Sequence, residues 1–515
     1  MKSIKTFCSA RNAILILVLV LSFSLLFSSS VMAEDVLRTR AREGQDIETL
    51  DPAFMIGYEE DNIGLAIYSR LVEFDPDNPP ELQKDAAKEF EIRDDGQEFY
   101  FELKEGIQFH GDYGELTAED VKFTYERVAD PEVEAVYADD FATLDRVEVI
   151  DDYSGRIILE EPFPGMTTRT LPLLRGSILS KEAFEEKGPE EFATNPIGSG
   201  PYKFESWEPG DVIVLSAHED YYGEQPDFDR VEIYPIVELE AAEVAFDTGE
   251  LNETRISLES VERYEAMDDV VVNELELLNF EWIGFNHRHE PFDNEKVRRA
   301  VRYAIDVDEI IEGAFHGAAV RADALIGPGV LGHWEDAPAY EQDLEKAEEL
   351  LEEAGYPDGF DTQIGTYPIS TNLNATQIAQ YQLMQVGINV DINILEEGQQ
   401  YEVFSDKDYE GMHYGSFTLN PDPGYWTEWY TEEQVGSWNF MHWVNDEFNE
   451  LHDKANVTTD EEERAEMYIR MQEIMNEDEV FVPLTYDAGV NVTHDHIDPA
   501  YLYHYTLYDE FELEE

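Results

Sequence analysis

The sequence predicts a mixed α/β protein of two or three domains. Three observations carry this. The chain has 515 residues, 43% of them hydrophobic, which is material for more than one large core. Tyr202 and Phe204, then Val212, Val214 and Ala217, recur at roughly the period of two that marks half-buried strands. Val297, Ala300, Val301, Ala304 and Ile305 recur instead at the spacing of an amphipathic helix face.

The first 33 residues read as a secretory signal. Lys2, Lys5 and Arg11 precede the apolar run from Ile14 to Phe27, and Val31-Met32-Ala33 suits cleavage before Glu34. An uncleaved anchor helix is the alternative. No later run approaches the roughly 20 apolar residues of a membrane span. Cys8, the only cysteine, lies before the apolar run, whereas a lipid-bearing cysteine would follow it. The exported chain is therefore expected to have no lipid anchor, no disulfide and no thiol chemistry.

A formal net charge of −82 excludes nucleic acid and anionic membranes as partners. Abundant aromatic and apolar residues argue against disorder. A calcium-loaded matrix protein would need a D-x-[DN]-x-[DN]-G loop, which the sequence lacks. The remaining reading is an acidic solvated surface suited to high salt, where counterions screen self-repulsion. A saline habitat is the expectation.

Along the chain, Leu50-Asp51-Pro52 opens the exported part, and Asn62 to Leu71 is expected to be helical. Asp94-Asp95-Gly96 is a hairpin turn, and Phe99, Phe101 and Leu103 share one face of the strand after it. Thr117 caps a helix with Asp120 at the third position, close to a capping box. Gly198 to Pro201 form a tight turn in which glycine permits unusual backbone angles and proline fixes the next. Two strands, an aromatic loop and a third strand follow, ending at Ile236. Asp343 starts a helix burying Leu344, Ala347, Leu350, Leu351 and Ala354. Gly355 ends it and Pro357 prevents continuation. Val386 to Val390 opens a strand, Asp460 and Glu463 cap a helix through Met475, and Val480 to Leu484 is a strand containing Pro483.

Several of these blocks, in this order, resemble the extracellular solute-binding proteins of ABC importers, the peptide/nickel-type family 5. The first holds Phe90, Asp95-Gly96, Leu103-Lys104, Gly106, Phe109, Leu116, Ala118 and Asp120-Val121. The second runs from Asn195 to Tyr202, then Trp207, Tyr221-Tyr222-Gly223 and Pro226. Phe285-Asn286 and Pro291-Phe292 then precede VRRAVRYAID, followed by the helix from Asp343 to Tyr356 and by Val386-Gly387-Ile388-Asn389-Val390.

The resemblance implies a two-lobed periplasmic-binding-protein clamp, type II-like, with mixed sheets flanked by helices and an extra inserted domain. By position, residues 34–65, 195–285 and 485–515 would build the first lobe, 66–194 the insert and 286–484 the second lobe. A small solute, of the di- or oligopeptide class, would bind between the lobes and favour the closed form. The closed protein would then dock on an ABC permease, whose ATPase supplies energy. The resemblance implies a periplasmic receptor, expected to be a monomer, with no cofactor and no chemistry of its own.

Two regions are expected to face the ligand. Relatives line the pocket with a short segment after the L-D-P-like motif, which places Tyr58, Glu59 and Glu60 there. In so acidic a chain, solvated surface is the alternative for both glutamates. The second region runs from Gly415 to Trp443 and holds four of the seven tryptophans. Phe417, Asn420, Asp422, Tyr425, Trp426 and Trp438 are the candidates, since large planar side chains suit stacking. Most of these rings are expected to fill the core, with one or two touching ligand. Peptide-binding relatives read about G-W-x-x-D-x-x-D-P in this loop and pair the first Asp with the peptide amine. This chain reads G-S-F-T-L-N-P-D-P, with Ser416 for the Trp and Leu419 for that Asp. Dipeptide-type relatives also use an Arg for the carboxylate, yet no Arg lies between Arg321 and Arg464. Burying an unpaired terminus is costly, so longer peptides, oligosaccharides or a cationic molecule facing Glu59, Glu60 and Asp422 stay open.

The pairs His287/His289 and His494/His496 lack a third metal ligand at a recognisable spacing, so no metal is expected. No G-x-S-x-G or H-E-x-x-H is present, which argues against a hydrolase. A sensor handing ligand to a membrane signalling protein is the rival of another class.

Overall fold

The computed structural model describes residues 35–514 apart from 43, 45, 77 and 397. The expected signal and Cys8 lie outside the described residues. The protein is a two-lobed α/β clamp built on one long mixed sheet. Its strands lie in the order Ile388–Ile394, Phe360–Thr366, Met412–Thr418, Val270–Phe285, Phe481–His494, Glu253–Arg255, Val36–Arg40, Arg230–Tyr234, Ile213–Ala217 and Tyr202–Trp207. Val320–Arg321 pairs additionally with Phe481–His494. The pairs at Val36–Arg40 with Arg230–Tyr234 and at Phe360–Thr366 with Ile388–Ile394 are parallel. Parallel strands need crossover segments, and helices supply them.

The antiparallel pair Val270–Phe285 and Phe481–His494 runs through both halves of this sheet. Val270 to Glu276 pair with His494 to Ala488, and Phe280 to Gly284 pair with Tyr486 to Phe481. Between Glu276 and Phe280 the register slips, and it slips again at Trp282 opposite Pro483. Proline has no N–H for a ladder, so the irregularity falls where the sequence forbids a bond. The strand at Val480 to Leu484 is thus far longer than its apolar run suggests.

Separate cores pack on the two sides. Leu37, Ile67, Tyr202, Leu215 and Val231 make one. Val297, Val301, Leu351, Leu383 and Tyr414 make another, under the helices Glu295–Ala304, Leu344–Ala354 and Ser370–Met384. A four-stranded antiparallel sheet, Ala87–Arg93, Glu98–Leu103, Ser154–Leu159 and Leu144–Asp151, forms the insert's framework. Phe99, Phe101 and Leu103 do share its buried face, against Tyr125 of the helix Ala118–Ala129. Asp120 accepts from the backbone N–H and the hydroxyl of Thr117, closing the capping box.

Some expectations shift. The helix expected from Asn62 to Leu71 spans Tyr58–Ile67. Its start is set by Glu60, whose carboxylate caps the turn, and Val72–Phe74 is a strand. Gly198 and Gly200 are needed for a different reason than unusual angles. A Cβ would stand 2.1 Å from the Ile67 carbonyl at Gly198 and 2.6 Å from the Ala66 carbonyl at Gly200. The turn is a seat for the end of that helix. Gly355 does adopt the left-handed conformation, with φ 95°, and closes the helix Leu344–Ala354.

Candidate ligand cleft

The first group of candidate residues follows the strand Val36–Arg40, at the carboxyl edge of parallel strands where α/β sheets bind ligands. Glu60 is buried, and its carboxylate gathers four backbone N–H groups. Oε1 accepts from Glu48 (2.6 Å) and Thr49 (3.0 Å), and Oε2 from Ile56 (2.9 Å) and Gly57 (3.0 Å). Glu59 is also buried, accepting from the Tyr508 hydroxyl at 2.7 Å and the Arg42 N–H at 2.7 Å. Burial pushes its pKa up to about 7 against these hydrogen bonds. Neither glutamate is solvated surface; Glu60 fastens the loop before the helix. Tyr58 is half-buried and lies edge-on to His504, with ring centroids 5.4 Å apart.

The second group forms a wall of rings. Phe417 sits at its centre, 4.9 Å from Trp282, 5.3 Å from Trp429 and 6.1 Å from Trp438. Trp429 and Trp438 meet at 4.7 Å, Tyr425 and Trp429 at 5.2 Å, and Tyr401 and Trp438 at 4.9 Å. Phe417, Tyr425, Trp429 and Trp438 are half-buried, and Tyr401 is 43% exposed. Trp426 differs: it is 0% exposed and its indole N–H donates to the Asn420 carbonyl at 2.7 Å, which makes it core. Asn420 is half-buried, and its side-chain oxygen accepts from the Asp422 N–H at 3.0 Å.

Asp422 is 1% exposed. Its oxygens accept from Arg464 Nη2 at 2.9 and 3.1 Å, from the Gly424 N–H at 2.8 Å and from the Thr168 hydroxyl. Burial would raise its pKa, but Arg464, Arg169 and these hydrogen bonds outweigh it and hold the carboxyl below its ordinary value. The charge is already neutralised, so Asp422 has none to spare for a cationic ligand. Leu419, which replaces the amine-binding Asp, is buried in the same core as Trp426.

A third group, in no recognisable motif, adjoins the second through Thr168 and Arg169. Arg169, on the short π-helical turn Met166–Thr170, reaches Asp140 at 3.0 Å and Glu428 at 3.5 Å. Its guanidinium lies 5.7 Å from the Tyr425 ring centroid. With the Thr168–Asp422 bond, it joins the insert to the 422–428 segment. Arg175 stacks on Tyr137 at 3.6 Å and stands 3.7 Å from Asp61. Burial pushes Asp61 up to about 6 despite Arg175. Sequence patterns missed these residues because one aspartate among 116 acids carries no signal. Scarcity is the one available pointer: with only 34 basic residues, an arginine in an apolar setting stands out.

Among the described residues no group of three or more His, Asp or Glu could hold a metal ion, and no helix is long and apolar enough to cross a membrane.

Residues 81–438 match the family model "Bacterial extracellular solute-binding proteins, family 5 Middle". The chain is 28% identical over 456 residues to the dipeptide-binding protein of Escherichia coli K12, covering 82% of this chain and 84% of that one. It is likewise 28% identical over 454 residues to heme-binding protein A of Haemophilus influenzae, covering 82% of each. Among solved structures it resembles the periplasmic binding protein DppA of Helicobacter pylori, determined in complex with the peptide STSA. The TM-score is 0.80 at 27% identity, over 94% of this chain and 99% of that one. The matched model spans more than half of the sequence, and the clamp fold agrees with it: the chain belongs to the family 5 bacterial extracellular solute-binding proteins.

Proposed function

We propose that this protein is exported to the periplasm as a monomeric receptor that captures a di- or oligopeptide-class solute between its lobes. It hands the solute to an ABC permease and does no chemistry itself. The observation that carries this is the meeting of the 417–438 ring wall with Arg169, whose guanidinium stands beside Tyr425 and Glu428. Rings supply sequence-tolerant contact area, and the buried charges supply orientation. The slip between Glu276 and Phe280 supports a hinge inside the two long strands, so the lobes would divide near there rather than at the strand ends. The ring wall equally suits the faces of sugar rings, which makes an oligosaccharide the second reading. The −82 charge supports a saline working medium.

The test is a thermal-shift screen in high salt with di- and oligopeptides, oligosaccharides and cationic osmolytes. A ligand at 100 times its Kd adds roughly 2.7 kcal/mol to stability. Stabilisation by peptides is expected. Failure of peptides of every length, with success of a sugar, overturns the peptide class.

A further inference from the structure

We propose that the inserted segment 66–194 carries a two-point polar clasp for the segment 422–459, which populates the closed form of the clamp with no solute bound. The first point is Thr168 and Arg169 on Asp422 and Glu428. The second is Asp95 on Thr459. This goes beyond the solute-capturing reading, since it needs two closing lobes and no particular solute.

The insert is fastened firmly on one side. Its core, with Phe99, Phe101 and Tyr125, continues into Ala53, Phe54, Ile197 and Tyr222, and among the described residues none of 286–484 belongs to it. Arg127 donates to both oxygens of Asp51, at 2.9 and 2.6 Å, and Asp51 is 1% exposed. Backbone bonds cross as well, from the His110 N–H to the Gly198 carbonyl at 2.8 Å and from the Val136 N–H to the Ala53 carbonyl at 3.0 Å. Shared apolar packing and buried pairing make the insert one body with 34–65 and 195–285.

Towards 422–459 the insert offers side chains alone. Among the described residues no backbone bond joins the two segments. The Thr168 hydroxyl donates to Asp422. Arg169, held at 3.0 Å by Asp140 of the insert, reaches Glu428 at 3.5 Å. At the second point the Thr459 hydroxyl donates to Asp95 Oδ1 at 3.0 Å. Asp94, Asp95 and Gly96 have φ of 46°, 55° and 85°, a left-handed run that shapes the hairpin tip. Gly96 is buried although it sits at that tip, where Thr459 lies over it: a Cβ would stand 2.8 Å from the Thr459 methyl. Few polar contacts without a shared apolar core suit two bodies that part and meet again. Neither point needs a solute atom to complete it. The bonds therefore favour the closed form by themselves, and a solute adds its differential affinity to a closure already begun. The second point pairs a hydroxyl with a carboxylate, so strong salt weakens it less than it would an exposed ion pair.

The experiment is small-angle X-ray scattering in high salt, after exhaustive dialysis and with no solute added. It compares the unaltered chain, Thr168→Val, and the pair Asp95→Cys with Thr459→Cys, made with and without Thr168→Val. The sequence after Cys8 contains no cysteine, so the added pair has no competitor in the exported chain. A compact chain of this size has a radius of gyration of roughly 23 Å, and Thr168→Val is expected to raise it by about 1 Å as the lobes part. The cysteine pair is expected to cross-link under mild oxidant, to stay compact, and to abolish that expansion until it is reduced. No expansion with Thr168→Val overturns the clasp. So does a folded cysteine pair that fails to cross-link. Expansion that persists in the cross-linked chain also overturns it, because it reports a loosened fold rather than parted lobes. If a screened solute binds while the clasp fails, the capture reading stands. If the clasp holds while no solute of any class binds, the capture reading falls alone.

Discussion

Replacing Arg464 by Met tests the most buried ion pair among the described residues. Arg464 is 2% exposed and Asp422 1% exposed, and Nη2 meets both carboxylate oxygens at 2.9 and 3.1 Å. Methionine keeps most of the side-chain volume but leaves a buried carboxylate without its cation. Breaking such a pair from one side costs about 3–5 kcal/mol. The loss of the Nε donation to the Ala455 carbonyl, at 3.0 Å, adds to this. Arg169 and the Thr168 hydroxyl stay near Asp422, which puts the expectation at the lower end, roughly 3 kcal/mol. The assay is urea unfolding followed by tryptophan fluorescence, at constant high salt, for the unaltered chain, Arg464→Met, Asp422→Asn and the double variant. The double variant is expected to lose less than the two singles summed, by about 2 kcal/mol. In the intact pair the Asp422 pKa is depressed, so its stabilisation is present above the ordinary carboxylate pKa and lost only as pH falls through the depressed value. In Arg464→Met the same carboxyl binds a proton more readily, so the penalty should shrink as pH is lowered from 7 toward 5. A penalty below about 1 kcal/mol at neutral pH, or strictly additive variants, would refute the account of Asp422 as a structural rather than a ligand-facing charge.

Other outcomes follow from neighbouring residues. Glu60→Ala should lose roughly 3 kcal/mol of stability, because four N–H groups lose a charged acceptor; an unchanged urea midpoint would contradict this. Burial raises the carboxyls of Asp61 and Asp85 to about 6 and of Glu59 and Asp509 to about 7. The folded chain then binds protons more tightly than the unfolded one. The stability they confer is present near pH 4 and lost as pH rises through 6 to 7, by about 1.4 kcal/mol for each tenfold gain in a carboxyl's proton affinity on folding. His110, His287, His413 and His504, held neutral by burial, oppose this as pH falls, so the carboxyl effect is read by difference: Glu59→Gln should raise the urea midpoint at pH 8 relative to that at pH 5, compared with the unaltered chain in the same salt. Trp426→Ala should cost about 3–5 kcal/mol as a core truncation. Trp438→Ala, on a half-buried ring, should leave stability nearer intact but weaken the ligand found in the screen roughly tenfold. Reversed behaviour of the two tryptophans would exchange their roles.

What the sequence made legible was local periodicity and local punctuation. The capping box at Thr117 and Asp120, the helix face from Val297 to Ile305 and the stop at Gly355 need only neighbours a few residues away. The length of the strand Phe481–His494 was not legible, because its polar half is held by pairing with Val270–Glu276, far earlier in the chain. The site divides the same way. Its ring wall announced itself as a cluster of tryptophans. Which rings are core was decided by contacts, since Trp426 and Trp429 look alike in sequence. Asp422 had a motif position, but its role hangs on Arg464, a distant residue on the helix Glu461–Glu477. Arg169, Arg175 and Asp61 belong to no motif, and only the fold brings them together.

Several of the scarce arginines are spent inward. Arg70, Arg298, Arg302 and Arg464 are all buried, engaged with carboxylates or carbonyl oxygens of the interior. The great majority of the 116 acidic residues stay outside, so the outer skin is strongly anionic. In dilute buffer such a skin attracts cations from afar and turns back anionic solutes before they reach the cleft. At about 1 M salt the field fades within roughly 3 Å, and arrival at the cleft no longer depends on the visitor's charge. Brine thus makes the entrance impartial, and discrimination is left to the few charges kept inside.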